Sequence, residues 1–138
     1  MEDTKQDVVL KNFLQVRLVS DFNKCTNYYQ DILGFKVDGW GHAILGNQLG
    51  FLLQQANSRE DIRPNARPGK MHWEGQNIGW DSYFYSNFEG VGQLYEQFKS
   101  NGAIFSYEPK IEIMGNSQWK EFAVQDLDDY VMVFGGGK

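Results

Sequence analysis

The order of apolar and polar positions predicts a strand followed by a helix at the start of the chain. In residues 8–19, leucines and valines alternate with polar neighbours, which is typical of a strand with one buried face. Asp21 can cap a helix that begins after it, and Gly34 is suited to end that helix. The apolar positions of this helix recur at the spacing of one helical face: Cys25, Tyr28, Tyr29 and Ile32.

The helix is followed by predicted strands and a polar segment, and then a second strand-helix pattern begins. Residues 35–38 predict a short strand, and residues 40–55 predict a hairpin around Gly46 and Asn47. Residues 57–77 are polar and contain two prolines, which indicates a linker. Beyond it the chain predicts a strand at residues 80–86, a helix that ends at Gly102, a strand at residues 103–108, a connection at residues 109–118 and a final hairpin within residues 119–137.

A sequence repeat connects the two halves. Asp21-Phe22 corresponds to Asn87-Phe88, an offset of 66 residues. The helical stripe of the first half corresponds at the same offset to one in the second: Val91, Leu94, Tyr95 and Phe98. We therefore predict an α+β fold in which two strand-helix-strand-strand-strand modules are copies of one unit. The single domain spans residues 1–138, with module one at about 8–56, a linker at 57–77 and module two at about 78–137.

Charge and composition narrow the possible partners. The net charge is −5, and residues 70–138 hold ten acidic and five basic residues. This balance argues against nucleic acid and against a membrane surface as partners. There is no long apolar run, and the single cysteine, Cys25, excludes an internal disulfide. We expect a cytoplasmic protein in which Cys25 is a buried thiol.

Two segments resemble a known superfamily. Residues 119–137 carry Glu-Phe, an acidic turn and an apolar strand that ends near Phe-Gly, with Leu127 and Asp129 departing from the usual Pro and Gly. Residues 28–35 end in Leu-Gly-Phe. The chain thereby resembles the glyoxalase/bleomycin resistance/extradiol dioxygenase superfamily, also called vicinal oxygen chelate. This resemblance implies that the paired modules form curled sheets around a cavity.

The resemblance also implies where a metal would bind. Its metal-dependent members place ligands at positions that correspond here to Leu14 or Gln15, to Asp81 and to Val133. Valine has no lone pair to offer, so we expect no metal and no cofactor, as in a bleomycin-resistance-like branch without a metal. The alternative is a glyoxalase-like lyase or dioxygenase with an atypical metal site. No residue is assigned a catalytic role.

Strand alternation predicts which side chains line the cavity. If Phe84 and Phe122 face the helices, their neighbours face the other way. The predicted ligand-binding residues are Gln15, Arg17, Asp81, Tyr83, Tyr85, Trp119 and Glu121. Aromatic walls with a few acids suit a small organic ligand that is aromatic or cationic. The alternative is that these rings are ordinary packing and that the acids are exposed to solvent.

The sequence thus predicts a protein that binds or sequesters a small molecule. We also expect a homodimer, because sheets that surround a cavity leave edges which a second copy can cover. Two smaller expectations concern the end of the chain. Residues 126–129 are expected to form a solvated turn, and Gly135, Gly136 and Gly137 a flexible tail.

Overall fold

A computed structural model describes residues 8–65 and 79–138 of the protein. The first module contains β1 (Gln15–Val19), α1 (Phe22–Asp31), β2 (Lys36–Val37), β3 (His42–Leu45) and β4 (Leu49–Gln55), followed by a 3-10 turn at Arg59–Asp61. The second contains β5 (Ser82–Asn87), α2 (Phe88–Asn101), β6 (Ile104–Met114), β7 (Ser117–Gln125) and β8 (Val131–Gly137). Residues 66–77 of the predicted linker lie outside the described residues. Neither described helix is long and apolar enough to cross a membrane.

Both helices begin at the capping residues that the sequence predicts. The side chain of Asp21 accepts a hydrogen bond from the amide of Lys24 at 3.0 Å. The side chain of Asn87 accepts one from the amide of Gly90 at 2.6 Å. Each cap satisfies an amide that the first helical turn leaves without a partner. At the other end of α2, Gly102 has φ +89°, a conformation that glycine adopts without strain.

The two modules have the same topology. The sheet of module one has the strand order β1-β4-β3-β2, and that of module two has the order β5-β8-β7-β6. In both, the first strand pairs in parallel with the last, and the other pairings are antiparallel. The helices begin at Phe22 and Phe88, 66 residues apart. The predicted α+β fold with a duplicated module is confirmed, although neither sheet closes into a barrel.

One hydrophobic core serves both modules. It joins α1, α2 and one face of each sheet through apolar and aromatic side chains. The ring of Phe84 stacks on that of Phe134, with centroids 4.8 Å apart. Across the module boundary its edge contacts Phe35 and Phe51, with centroids 6.4 and 6.0 Å away. Phe84 therefore faces the helices, as the alternation of β5 predicts, and the opposite sheet face is left for other contacts.

In the turn between β7 and β8, Leu127 and Asp129 are exposed but two of the acids are buried, which corrects for those two the prediction of a solvated turn. Asp126 and Asp128 are 1% and 3% exposed. The carboxylate of Asp128 accepts a hydrogen bond from the amide of Ser20 at 2.9 Å and lies 3.4 Å from the Sγ atom of Cys25. This turn of module two is therefore held against module one. Cys25 is buried, as predicted.

Three strand boundaries also differ from the predictions. β1 begins only at Gln15, and β6 continues through Pro109 to Met114, where the sequence predicts a connection. The three terminal glycines belong to β8 and are not a flexible tail. Gly136 is buried, and a Cβ there would lie 2.5 Å from the carbonyl oxygen of Ser86 in β5. Glycine is therefore required for the close pairing of β8 with β5.

Candidate functional site

A buried carboxylate surrounded by aromatic side chains lies on the second sheet. Glu121 of β7 is only 8% exposed. Its Oε1 atom accepts hydrogen bonds from the hydroxyl of Tyr83 at 2.7 Å and from Nε1 of Trp119 at 3.1 Å. Its Oε2 atom accepts one from the hydroxyl of Tyr107 at 2.7 Å. We call these four residues the Glu121 cluster.

Strand alternation places the Glu121 cluster on the sheet face that is turned away from α2. Phe122 and Val124 of β7 belong to the core with α2, so Glu121 and Ala123 point to the other face. The two sheet faces of β5 are divided in the same way between Phe84 and Tyr83. The local alternation of β5 and β7 thus brings an acid and its donors together without any special loop.

The backbone directly beneath the Glu121 cluster is that of a glycine in β8. Gly135 of β8 pairs with Glu121 on one side and with Tyr85 on the other. A Cβ atom at Gly135 would collide with the hydroxyl oxygen of Tyr83 and would lie 2.8 Å from a ring carbon of Trp119. The side chains of Tyr83 and Trp119 therefore lie directly against the β8 backbone at Gly135. A side chain at that position would occupy the space that they fill.

The tyrosine hydroxyls act as donors to a carboxylate that has no cationic partner within contact distance in the described part of the chain. Burial and, second to it, the hydrogen bond to Glu121 raise the pKa of Tyr83 and that of Tyr107, so both hydroxyls are protonated. Within residues 8–65 and 79–138, no basic side chain comes within 4.0 Å of Glu121. Lys110 pairs with Glu121 across the β6–β7 ladder, but its Nζ atom lies 4.5 Å from the ring centre of Tyr107.

Two cavities adjoin these side chains. A cavity of ≈ 200 Å³ is lined by Trp80, Lys110, Ile111, Glu112, Trp119 and Glu121. A wider cleft of ≈ 420 Å³ lies along β5, and Tyr83 and Tyr85 are among its lining residues. The rings of Tyr85 and Trp119 have centroids 6.1 Å apart, so aromatic side chains connect the small cavity to the wider cleft. Together the two spaces could accept a small organic molecule.

The structure brings four of the seven predicted site residues together. Tyr83, Trp119 and Glu121 are hydrogen-bonded to one another. The ring of Tyr85 lies 4.9 Å from that of Tyr83 and is largely exposed. These four residues share the sheet face that the alternation predicts. Whether they bind a ligand stays a prediction.

Gln15 lines the wider cleft with Tyr83 and Tyr85 but does not belong to the Glu121 cluster, and Arg17 lies at the boundary between the modules. Arg17 is 3% exposed and shares the core-facing side of β1. Its Nη1 atom donates to the hydroxyl of Tyr29 at 3.0 Å, and its Nη2 atom donates to Ser82 at 2.6 Å and to Gln15 at 3.4 Å. Its guanidinium carbon lies 3.9 Å from the ring centre of Phe51. The guanidinium group of Arg17 thus already makes hydrogen bonds and a cation–π contact within the protein.

Asp81 is also engaged by the backbone. Its Oδ2 atom accepts a hydrogen bond from the amide of Val131 at 2.8 Å, and its Oδ1 atom accepts one from the amide of Asn65 at 2.7 Å. The side chain of Asn65 in turn donates to the carbonyl oxygen of Trp80 at 2.7 Å. Asp81 therefore joins the loop at residue 65 to the start of β8, and it does not contact the Glu121 cluster.

The residues at the implied metal positions do not fit a metal ion. Asp81 is held by two amides, Val133 is buried without a lone pair, and Leu14 is apolar. In the part of the chain that the structure describes, no three His, Cys, Asp or Glu side chains lie close enough to hold a metal. His72 lies outside the described residues. No step that depends on a metal follows from this donor set.

Sequence reasoning missed Tyr107 and Lys110 as neighbours of Glu121. Both lie in β6, where the ladder with β7 shifts register between Phe105 and Tyr107 and again between Tyr107 and Lys110. These irregularities break the simple alternation, so period-two reasoning cannot assign their faces. The run of three glycines at residues 135–137 was a usable signal, because glycine within a strand often marks a close approach of other groups.

Several solved structures have a similar backbone. A glyoxalase/bleomycin resistance protein/dioxygenase from Alicyclobacillus acidocaldarius has 15% sequence identity and a TM-score of 0.61, over 91% of this chain and 90% of that one. TioX from Micromonospora sp. ML1 has 13% identity and a TM-score of 0.63, over 91% and 98%. The fosfomycin resistance protein FosX from Listeria monocytogenes has 15% identity and a TM-score of 0.59, over 95% and 96%.

Sequence comparison adds no closer relative. No family model matches the sequence, and no protein of curated function matches it. The structural likeness extends over nine-tenths or more of each chain, whereas the identity is low, so the likeness establishes architecture and leaves activity open. The chain has the fold of the glyoxalase/bleomycin resistance/dioxygenase proteins.

Proposed function

We propose that the protein binds or sequesters a small organic ligand that is aromatic or cationic, and that it does so without a metal. The observation that carries this proposal is the Glu121 cluster beside its two cavities. Three aromatic side chains surround one buried carboxylate there, and Trp80 and Tyr85 extend the aromatic surface. Such a surface binds a flat molecule by stacking and a cation by attraction to ring faces.

The donor chemistry of the site supports binding more than catalysis. Glu121 already accepts three hydrogen bonds, and Tyr83 and Tyr107 have raised pKa values that keep their protons in place. Neither tyrosine hydroxyl is therefore poised to release a proton near neutral pH. A pocket with these properties can hold a ligand through contacts alone, and micromolar affinity requires only about 8 kcal/mol.

Proteins with this fold provide a supporting analogy. The names of the similar structures include bleomycin resistance and fosfomycin resistance. We infer a similar role in handling a small molecule, nearest to a bleomycin-resistance-like protein without a metal. A homodimer and a cytoplasmic location belong to the same proposal.

A ligand screen with and without a chelator tests the proposal. Tryptophan fluorescence reports on Trp119 and Trp80 at the site when the other two tryptophans are replaced, so the screen uses a Trp40→Phe/Trp73→Phe background. We expect binding that survives the chelator and weakens in Glu121→Gln. Glu96→Gln, on the surface of α2, is the matched control.

The screen can also contradict the proposal. Stoichiometric metal whose removal abolishes binding would favour the alternative, a glyoxalase-like lyase or dioxygenase with an atypical metal site. Absence of binding across aromatic, cationic and neutral compounds would reject the Glu121 cluster as a ligand site.

A further inference from the structure

We propose that the Glu121 cluster and Trp80 form a subsite for a small organic ammonium group, and that the side chain of Lys110 competes with the ligand for it. This inference rests on the proposed function and narrows its ligand class to cations.

The first argument is that no positive group among the described residues compensates the charge of Glu121. The side chain is 8% exposed, and its three hydrogen-bond donors are two hydroxyl groups and one indole N–H, all of them neutral. Neutral donors stabilise a carboxylate but leave its net charge in place. Among the described residues no basic group lies within 4.0 Å of it. A buried charge of this kind is most stable beside a positive partner, which a cationic ligand would supply.

The second argument is the shape and lining of the smaller cavity. Its volume of ≈ 200 Å³ suits a compact headgroup better than a whole drug-sized molecule. Trp80 and Trp119 line it, and the ring of Trp80 lies 5.3 Å from that of Tyr83. Aromatic rings around a carboxylate are the arrangement that recognises alkylated ammonium groups. The wider cleft next to Tyr85 would then receive the rest of the ligand.

The third argument is that an ammonium group already lies at this position. The Nζ atom of Lys110 is 4.5 Å from the ring centre of Tyr107, whose hydroxyl donates to Glu121. Lys110 also lines the small cavity, and it is exposed, so its flexible side chain can move away. Among the described residues, the other charged groups that line this cavity are Glu112 and Glu121, both acidic. An anionic ligand would face two like charges there.

Three probes that share one benzene ring test the charge preference. Phenyltrimethylammonium is the cation, tert-butylbenzene is its uncharged isostere, and benzenesulfonate is the anion. Binding is followed by the NMR shifts of the indole N–H groups of Trp80 and Trp119. We expect the cation to bind at least about tenfold more tightly than the isostere, and the anion not to bind.

Three variants assign the effect to named side chains. Glu121→Gln is expected to remove the preference for the cation while the isostere still binds, and its NMR spectrum shows whether it is folded. Lys110→Met keeps the aliphatic chain and is expected to raise the affinity for the cation about threefold, without a change for the isostere. Lys120→Met is the control, because Lys120 lies 4.1 Å from the ring centre of Phe88, outside the cavity.

The outcomes separate this inference from the proposed function. Equal binding of cation and isostere would overturn the inference and leave the proposed function intact. If none of the three probes shifts either indole signal, both are rejected. A cation preference that is unchanged in Lys110→Met would overturn the competition by Lys110.

Discussion

The hydroxyl of Tyr29 donates a hydrogen bond to the Oδ2 atom of Asp126 at 2.6 Å and so connects the helix of module one to a turn of module two. The same hydroxyl accepts a hydrogen bond from Arg17 at 3.0 Å. The Oδ1 atom of Asp126 accepts two more, from the amides of Asp128 and Tyr130. The side chains of Tyr29, Asp126 and Arg17 are all buried. The boundary between the modules therefore contains a polar network within an aromatic core.

Removal of this one hydroxyl should lower the stability of the whole domain. In Tyr29→Phe, Asp126 loses its closest donor and Arg17 loses an acceptor, while the ring packing remains. We expect the free energy of unfolding to fall by about 2 kcal/mol, because buried charged groups are left short of partners. Guanidinium denaturation measures this change. Tyr85→Phe, at an exposed position, should change it by less than about 0.5 kcal/mol; similar values for the two variants would contradict the network's importance.

Stability should decline at alkaline pH because of the buried tyrosines. Burial raises the pKa of Tyr29, Tyr83 and Tyr107 above the value of about 10 that tyrosine has in the unfolded chain. The stabilisation that these raised pKa values contribute to the free energy of unfolding is complete below pH 10 and is lost as the pH rises above it. The three protons that these tyrosines release on unfolding contribute a slope that approaches about 4 kcal/mol per pH unit.

Unfolding measurements between pH 9 and pH 11.5 test the alkaline slope. A Tyr83→Phe/Tyr107→Phe double variant removes two of the three titrating groups and should have a clearly smaller slope. If the double variant and the original chain lose stability in parallel, the two hydroxyls do not titrate as proposed.

The glycine below the Glu121 cluster should not tolerate a methyl group. In Gly135→Ala the new Cβ would displace Tyr83 and Trp119 from the β8 backbone. We expect a loss of about 1–3 kcal/mol in unfolding free energy, as for other overpacked sites, together with weaker ligand binding. Gly92→Ala is the control, since only the flexible end of Lys120 is near, and a helix interior favours alanine over glycine. A stable Gly135→Ala variant with unchanged binding would refute this account.

The homodimer prediction can be tested directly. Large apolar side chains are exposed in two segments of the described chain: Val8, Val9, Leu10 and Phe13 near its start, and Ile111, Ile113 and Met114 near the β6–β7 turn. β6 is also an edge strand, which a second copy could cover. Sedimentation at micromolar concentration should give twice the 15.9 kDa of one chain. Phe13→Ser and Ile113→Ser test the two segments separately, and a wild-type chain that stays monomeric would reject the dimer.

Local signals were sufficient to predict the modules. The caps at Asp21 and Asn87 and the stop at Gly102 act within one helical turn, so they can be read without tertiary information. The face shared by Tyr83 and Glu121 was predictable for a related reason, because strand alternation is also local. Their hydrogen bond depends on the strand order β5-β8-β7, in which β8 separates the two strands.

The rest of the prediction failed where a side chain depends on partners that are far away in the sequence. Arg17 looked like a cavity residue because it alternates with Val16 and Leu18, which were expected to form the apolar face of the strand. In the structure Val16 is exposed and Arg17 is buried, where Tyr29 and Phe51 contact its guanidinium group. Asp126 looked solvated because acidic turns usually are. Its burial follows from donors supplied by module one, 97 residues away in the case of Tyr29. No period in the sequence encodes such a pairing.

The polar network at the module boundary has a consequence for synthesis on the ribosome. The sheet of module one is complete at Gln55, yet Tyr29 finds its carboxylate partner only when Asp126 has emerged. At ordinary translation rates the intervening residues take about 4 to 14 seconds to make. Until then Tyr29 lacks its carboxylate acceptor, and the ring of Tyr130, which contacts the guanidinium group of Arg17, is also absent. The repeated unit is therefore not autonomous: the first copy reaches its final stability only after most of the second has been synthesised.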